Sequence, residues 1–206
     1  MMKRLHITSI VLIAGILSAC GGGGGGGGTA ETPDGKKFDL EISAKGTVEG
    51  NTPEGRLFGQ NNADSFYGVW RNDAKTLREL RYQGTEATNI PTSGVATYKG
   101  DAVWISGYDN SFQKGGNTTL KVDFDEKTVN GKITFSIFNG DEFRRDITLH
   151  TGSLSGASFA GRASVLGNSG GQYQGALFGD GAKEAAGLVQ FKNNSSLDVS
   201  FGGKKQ

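Results

Sequence analysis

The sequence is poor in the residues on which enzymatic and metal sites are most often built. Its 206 residues include one cysteine and two histidines. Cys20 has no partner for an internal disulfide, and a zinc site of cysteine and histidine side chains is excluded by number. A Ser-His-Asp triad would have to use His150, because His6 precedes Cys20 in a segment that we expect to be removed, and no G-x-S-x-G motif is present. We therefore expect no enzyme, no metal site and no cofactor.

An excess of charge of one sign is also lacking. The formal net charge is +1, and it becomes −1 once Lys3 and Arg4 leave with the segment before Cys20. A nearly neutral chain without an aromatic-basic motif gives no reason to expect nucleic acid. Acidic residues cluster at positions 123–126 and 141–142, but both clusters fall at expected hairpin ends, where aspartate favours turn geometry. We interpret them as solvated turns rather than as the paired carboxylates of a glycosidase.

The first twenty residues have the pattern of a bacterial lipoprotein signal. Lys3 and Arg4 precede a short apolar run from Ile7 to Leu17, and Leu17-Ser18-Ala19-Cys20 is a lipobox. An uncleaved anchor helix is the alternative, but the run is too short to span a bilayer stably. We expect residues 1–19 to be the signal peptide and Cys20 to be lipidated. Several acyl chains hold a protein on a membrane where one does so only marginally, so the chain should stay bound to membrane lipid.

Eight consecutive glycines, Gly21 to Gly28, follow Cys20. They do not form a phosphate-binding loop, because no Gly-Lys-Ser/Thr follows and a P-loop needs a preceding strand. We interpret residues 20–35 as the lipidated cysteine and a flexible tether. Coil statistics give the glycine run within it an end-to-end distance of about 15 Å. The residue after Cys20 is glycine rather than aspartate, which favours sorting to the outer membrane.

Few prolines, many glycines and alternating apolar residues predict an all-β protein. Residues 36–90 should form a small β-rich unit with strands near Phe38–Ile42, Ser65–Arg71 and Thr76–Gly84, and with a loop over residues 50–62. Short helical turns are allowed at residues 74–81 and 181–185. A unit of this size buries little core by itself and should pack against the C-terminal part of the chain.

Residues 91–206 carry a longer series of short strands. Candidates begin at Gly94, Ala102, Thr118, Val129 and Arg144, and others at Ala157, Gln172, Ala185 and Leu197. Merging the first two across Gly100 leaves eight, which suits an eight-stranded antiparallel barrel filled by its own side chains. We expect alternate apolar residues to face inward: Leu120, Val122, Phe124, Ile133, Phe135 and Ile137. Glycines within several strands indicate bends, bulges or close backbone approach.

The last hairpins carry a resemblance to a known family. SLSGASFAGRA followed by GGQYQGALFGDGAKEAAG resembles the final hairpins of the eight-stranded barrel of Gram-negative surface lipoproteins, which include the transferrin-binding lipoproteins, the factor H-binding lipoprotein and the wider group exported by the Slam translocon. The likeness covers about Pro91 to the end. Here Leu177-Phe178 stands for the family's aromatic pair, and Ala185-Ala186-Gly187 stands where a Gly-Gly pair is common.

Aromatic residues beside arginines are the candidate contact residues. Phe66, Tyr67 and Trp70 lie close to Arg71, and Tyr108 and Phe112 lie in the Gly/Asn/Ser-rich segment GYDNSFQKGGN. Exposed aromatics with arginine are common hot spots of protein interfaces, and we expect these side chains to be half exposed. For Phe66 and Trp104 the pattern is equally consistent with burial in their own sheets.

The resemblance implies a non-catalytic surface lipoprotein that captures a host protein. Among the group, the short lipoproteins with a reduced N-terminal unit resemble this chain most, which implies a complement regulator of the factor I or factor H type as partner, for immune evasion, and export by the surface translocon. A haem- or iron-carrier-binding lipoprotein is the alternative. Haem would need an axial ligand from His150, Tyr67, Tyr82 or Tyr108. A purely structural envelope lipoprotein is the third hypothesis.

Overall fold

The computed structural model describes residues 29–39, 45–136 and 144–206. The signal peptide, Cys20 and the glycine run lie outside these residues, as does Ile137. The described chain is all-β, as predicted, and contains fourteen strands and one short 3₁₀ helix at Ser195–Leu197. The strands are β1 Thr29–Glu31, β2 Lys37–Asp39, β3 Gly46–Thr52, β4 Gly55–Asn61, β5 Ser65–Asn72, β6 Arg78–Gly84, β7 Val95–Ile105, β8 Phe112–Asp123, β9 Thr128–Thr134, β10 Ile147–Ser155, β11 Ser158–Val165, β12 Asn168–Phe178, β13 Glu184–Phe191 and β14 Val199–Lys205.

Strands β7 to β14 close into an eight-stranded antiparallel barrel in the order β10-β11-β12-β13-β14-β7-β8-β9. The two candidate strands on either side of Gly100 are one strand, β7, whose register shifts between Gly100 and Ala102. This confirms the merged prediction. The residues expected to face inward are buried at Leu120, Val122, Phe124 and Ile133, and Phe135 is partly buried against the same core. Apolar side chains fill the barrel, as expected for one of this size.

Strand glycines seat aromatic rings across the barrel wall. A Cβ atom at Gly175 would lie 2.3 Å from the Phe159 ring, and one at Gly161 would lie 2.5 Å from the Tyr173 ring. Gly187 leaves the same kind of space for Phe201. An aromatic ring that covers a glycine on the neighbouring strand restores the packing that the glycine gives up. The predicted close approach at strand glycines is therefore confirmed, and each of these approaches involves a ring.

Strands β3 to β6 form a second, four-stranded antiparallel sheet. The loop predicted over residues 50–62 is wrong, because that segment contains the end of β3, a tight turn and all of β4. Polar residues fit a strand here because successive side chains of β3 alternate between a partly buried face and an exposed face. The helical turns allowed at residues 74–81 and 181–185 are also wrong: the first segment becomes a turn and the start of β6, and the second is a turn before β13.

A small hairpin, β1 with β2, lies along the four-stranded sheet. The last residue of β1 approaches the end of β6, where the Glu31 backbone N–H donates to Gln83 Oε1 at 2.8 Å. The tip of the hairpin reaches the β3–β4 turn, where the backbone N–H of Glu54 donates to Asp34 Oδ2 at 2.7 Å. Burial acts to raise the pKa of Asp34, but hydrogen bonds from threonine side chains and backbone N–H groups together lower it to about 2. The hairpin is therefore held to both β6 and the β3–β4 turn. Over the residues described, no helix has the length and apolarity to cross a bilayer.

Polar bonds fix the four-stranded sheet to the barrel wall. The Tyr67 hydroxyl of β5 donates to Asp101 of β7 at 2.5 Å, and Asp101 also pairs with Lys114 at 3.1 Å. A second connection joins β13 to β5, where Glu184 Oε2 accepts hydrogen bonds from the backbone N–H and the hydroxyl of Ser65. Burial raises the pKa of Glu184, and the bonds from Ser65 oppose that rise. An apolar cluster that includes Tyr67, Val103 and Phe178 fills the space between these bonds.

Candidate functional site

One end of the barrel carries a concentration of exposed large apolar side chains. Because the barrel strands alternate in direction, the segments after β7, β9, β11 and β13 all lie at this end, which we call the loop end. Tyr108 follows β7 and is 94% exposed, and Leu166 follows β11 and is 82% exposed. Leu77, which is 61% exposed, lies in the turn between β5 and β6, beside Arg78. Single exposed apolar residues are ordinary, but three at one end indicate a contact surface.

The loop that carries Tyr108 is held in one shape by its own hydrogen bonds. Ser106 Oγ accepts the backbone N–H of Tyr108 at 3.1 Å, and the N–H of Ser106 donates to the Ser111 carbonyl at 2.9 Å. The Asp109 carboxylate accepts both the backbone N–H and the hydroxyl of Ser111. These bonds lower the pKa of Asp109 to about 2 because they favour the ionised carboxylate. A rigid loop that presents a side chain binds with little ordering cost.

Two arginines of the four-stranded sheet brace this loop from below. Arg71 donates to the backbone carbonyl of Asn110, and Arg78 donates to the side-chain oxygen of Asn110. The Arg71 guanidinium lies 4.8 Å above the Phe112 ring, which in turn stacks on Phe58 at 5.5 Å. Asn110 has a φ of 60°, a left-handed conformation that asparagine adopts more readily than most residues. The structure thus brings Arg71, Tyr108 and Phe112 together, as support and tip of one loop.

The other three predicted contact residues lie elsewhere and are buried. Phe66, Tyr67 and Trp70 are 1%, 1% and 4% exposed, so the expected half exposure is wrong for Tyr67 and Trp70, and for Phe66 the alternative of burial in its own sheet is confirmed. Phe66 and Trp70 point to the face of the sheet away from the barrel, where they form a cluster with Leu57. The Phe66 ring occupies the space left by the paired Gly59 and Gly68, and Trp70 Nε1 donates to Thr52 Oγ1 at 2.9 Å. Tyr67 points the other way, to Asp101.

Arg71 and Trp104 are also more buried than a contact residue would be. Arg71 is 8% exposed, so it positions the loop and offers little surface of its own. Trp104 is 1% exposed and lies inside the barrel, where the Arg144 guanidinium stacks on it at 4.8 Å. Of the two interpretations of Trp104, burial in its own sheet is confirmed. Phe112 is partly buried and Tyr108 is open, so Tyr108 is the predicted residue best placed to touch another molecule.

Sequence reasoning missed Leu77, Leu166 and Arg145. Arg145 donates a hydrogen bond to the backbone carbonyl of Leu166, which joins the chain before β10 to the β11–β12 turn. A large apolar residue directly before a turn glycine, as in Leu166-Gly167, is an available signal for an exposed tip. Arg145 gave no such signal, because its partner is a backbone atom twenty-one positions away.

The candidate haem ligands do not form an obvious axial pair. His150 is exposed on β10 with Nε2 2.8 Å from Ser164 Oγ. Tyr67 and Tyr82 are opposite each other on β5 and β6, and burial raises the pKa of both phenols, so neither ionises readily. Tyr108 lies on a separate loop. Over residues 29–39, 45–136 and 144–206, no group of three or more histidine, cysteine, aspartate or glutamate side chains could hold a metal ion.

Comparison with known proteins places the barrel in a family. Residues 90–205 match the family described as the C-lobe and N-lobe beta barrels of Tf-binding protein B. Transferrin-binding protein B of Moraxella catarrhalis is 27% identical over 192 residues, which is 81% of this chain and 25% of that protein. The chain thus spans about a quarter of the length of this curated relative.

Solved structures share the fold. The haemoglobin receptor HpuA of Kingella denitrificans aligns with a TM-score of 0.67 and 21% identity, over 86% of this chain and 76% of that chain. Transferrin-binding protein B of Neisseria meningitidis serogroup B aligns with a TM-score of 0.60 and 22% identity, over 85% of this chain and 38% of that chain. The likeness includes the four-stranded sheet as well as the barrel, since each alignment extends well beyond the barrel residues. With more than half of its residues matched, this chain belongs to the family of transferrin-binding-protein-B β-barrels.

Proposed function

We propose that this chain is a non-enzymatic surface lipoprotein that binds an iron-bearing host protein of the haemoglobin or transferrin type. The observation that carries the proposal is the loop end: a braced loop that holds Tyr108 in solvent, at the same end of the molecule as the exposed Leu77 and Leu166. Aromatic tips on rigid supports are the usual anchors of protein interfaces. A stable interface buries about 800 Å² on each partner, which several loops at one end can supply together.

The kind of partner is supported by the relatives. They are named for transferrin and for haemoglobin, and the structure of HpuA from Kingella denitrificans in complex with human haemoglobin also aligns, with a TM-score of 0.66 and 20% identity. They favour the iron-carrier alternative over the complement regulator of factor I or factor H type, which stays a prediction from the resemblance. The positions of His150, Tyr67, Tyr82 and Tyr108 favour contact with the carrier protein over ligation of free haem.

The attachment of the protein fits this role. Lipidation at Cys20 and the glycine tether remain predictions from residues 1–28, and export to the outer surface by the translocon remains a prediction from the resemblance. The described hairpin adds support, because Thr29 follows the glycines and lies at the end of the molecule opposite Tyr108. A protein tethered from that end holds its loop end away from the lipid.

Binding of purified candidates by the full-length lipoprotein in detergent tests the proposal. Human haemoglobin, iron-loaded transferrin, factor I and factor H are passed separately over the immobilised protein. We expect haemoglobin or transferrin to bind and Tyr108→Ala to weaken binding at least tenfold, which corresponds to about 1.4 kcal/mol. The matched control is Val95→Ala, since Val95 is 54% exposed at the opposite end of the barrel.

Two results would contradict the proposal. Equal loss of binding in Tyr108→Ala and Val95→Ala would remove the loop end as the contact surface. Binding of factor I or factor H alone would replace the iron carrier with the complement regulator. Thermal unfolding of both variants, followed by circular dichroism, shows whether they keep the fold.

A further inference from the structure

The outer wall of the barrel has a depression that the proposed function does not use. It lies on β11, β12 and β13 and has a volume of about 550 Å³, within the range of small-ligand sites. Its floor is made of small residues, among them Ala160, Gly161 and Gly170. Its polar side chains come from outward positions of the three strands and from the residue after β13: Arg162, Gln172, Gln174, Gln190 and Lys192.

Strand register places these side chains in adjacent rows. Arg162 is paired with Gln172, and Gln172 is paired with Gln190, so three long polar side chains stand side by side across three strands. The next row holds Gln174 opposite Leu188. Residues directly opposite each other on neighbouring strands have Cβ atoms about 5 Å apart. The spacing of the row therefore matches that of polar groups along a short chain of rings.

The row combines amide side chains with cations. Within the described part of the chain, the side chains of Arg162, Gln172 and Gln190 make no hydrogen bond or ion pair, so their groups are available to a ligand. A primary amide offers both donors and an acceptor, whereas Arg162 and Lys192 offer donors only. Among the described residues that line the depression none is acidic, so the two cations are not neutralised locally.

Other kinds of ligand fit the depression less well. A partner strand could not extend the sheet here, because a closed barrel leaves no unpaired edge. An apolar ligand alone would leave the amides and the two cations of the depression without hydrogen-bond partners. A ligand rich in hydroxyl groups with one negative charge satisfies both the amides and the cations.

We propose that the wall of β11–β13 binds an oligosaccharide bearing a carboxylate or a sulfate group. The amides of Gln172, Gln174 and Gln190 form hydrogen bonds with its hydroxyl groups. Arg162 and Lys192 bind the acidic group, and the Arg162 guanidinium can do so with two parallel N–H···O bonds. This site is separate from the loop end and does not depend on the identity of the protein partner.

Saturation-transfer NMR on the full-length lipoprotein, in a detergent without a sugar headgroup, tests this site. The probes are 3′-sialyllactose, a sulfated heparin disaccharide and neutral lactose. We expect transfer to at least one acidic sugar and much less to lactose, and the sugar that responds distinguishes a sialylated from a sulfated source. Arg162→Gln and the double variant Gln172→Ala/Gln190→Ala should each lower the signal at least fivefold.

Two matched variants separate this site from general charge and from the loop end. Lys132→Gln removes an exposed cation from β9, outside the depression, and should leave the sugar signal unchanged, as should Tyr108→Ala. The proposal is overturned if neither acidic sugar gives transfer, if lactose responds equally, or if Lys132→Gln lowers the signal as much as Arg162→Gln. Each variant is first shown to unfold at the temperature of the parent protein.

Discussion

Gly161 offers a direct test of the glycine–aromatic packing in the barrel. The three atoms nearest to a Cβ at this position all belong to the Tyr173 side chain, at 2.5–2.6 Å. Gly161→Ala must therefore displace Tyr173. The Tyr173 hydroxyl lies 2.8 Å from the backbone carbonyls of both Val129 and His150, so displacement also breaks a buried hydrogen bond that ties β12 to β9 and β10.

The expected loss of stability is the sum of three effects. Overpacking a well-packed core costs about 1–3 kcal/mol, and a buried hydrogen bond contributes about 1 kcal/mol. The smaller entropy of an unfolded alanine chain offsets about 0.4–1 kcal/mol. We therefore expect Gly161→Ala to lower the free energy of unfolding by about 1–3.6 kcal/mol.

The matched control is Gly50→Ala on β3, where a Cβ meets no atom within 4 Å and φ is not positive. It should be neutral or slightly stabilising. Guanidinium unfolding followed by circular dichroism measures both variants, with the m-value checked for constancy. A double-mutant cycle with Tyr173→Leu isolates the contact, since the clash disappears with the ring and we expect a coupling of about 1–3 kcal/mol. The packing of the Tyr173 ring does not depend on Gly161 if Gly161→Ala has the same effect on stability as Gly50→Ala. The same conclusion follows if the effects of Gly161→Ala and Tyr173→Leu on stability are additive.

Other contacts support three further predictions. Tyr67→Phe removes the hydrogen bond to the Asp101 carboxylate between sheet and barrel, and should lower the free energy of unfolding by about 1.5–3 kcal/mol, while Tyr82→Phe, which has no such bond in the described chain, should lower it less. Burial raises the pKa of Asp198 to about 6, against the lowering effects of the Phe191 N–H and Arg144. Since the pKa of Asp198 is higher in the folded than in the unfolded protein, the free energy of unfolding should fall as pH rises from about 4 to 6 and stay lower above pH 6. The loss should be about 2 kcal/mol once solvent screening of this partly exposed group is allowed for. Asp198→Asn should flatten that part of a stability–pH profile, and an unchanged slope would contradict the assignment. Asn110→Ala removes the side-chain acceptor of Arg78 and disfavours the left-handed backbone, so partner binding should weaken several-fold with little change in melting temperature. Asn168→Ala, at the β11–β12 turn across the barrel, should leave binding unchanged.

Much of the barrel could be predicted from the sequence because its strands alternate so regularly. The spacing of Leu120, Val122 and Ile133 is enough to predict their inward face, and the final three strands begin within four residues of the predicted starts. The polar strand β3 could not be recognised in this way. Val48 is its one apolar side chain that packs against a core, so its sequence resembles a loop.

The candidate site was harder to predict than the fold, because burial depends on distant segments. Phe66 and Trp70 would be contact residues only if the face of the sheet that carries them were exposed to solvent. Tyr67 faces a barrel strand more than thirty residues away in sequence. The exposure of Tyr108 could be predicted because its neighbours are short, polar and glycine-rich, and such residues rarely cover a ring.

The β1–β2 hairpin has a mechanical consequence for the proposed tether. If a captured partner is pulled by flow, tension from the proposed lipid anchor enters the described chain at Thr29. Thr29 is paired with Asp39 at the open end of the hairpin, so a force that separates these two residues breaks the β1–β2 pairs one after another, beginning with this pair. A short hairpin at the point of attachment can thus open and lengthen the tether before the four-stranded sheet is loaded.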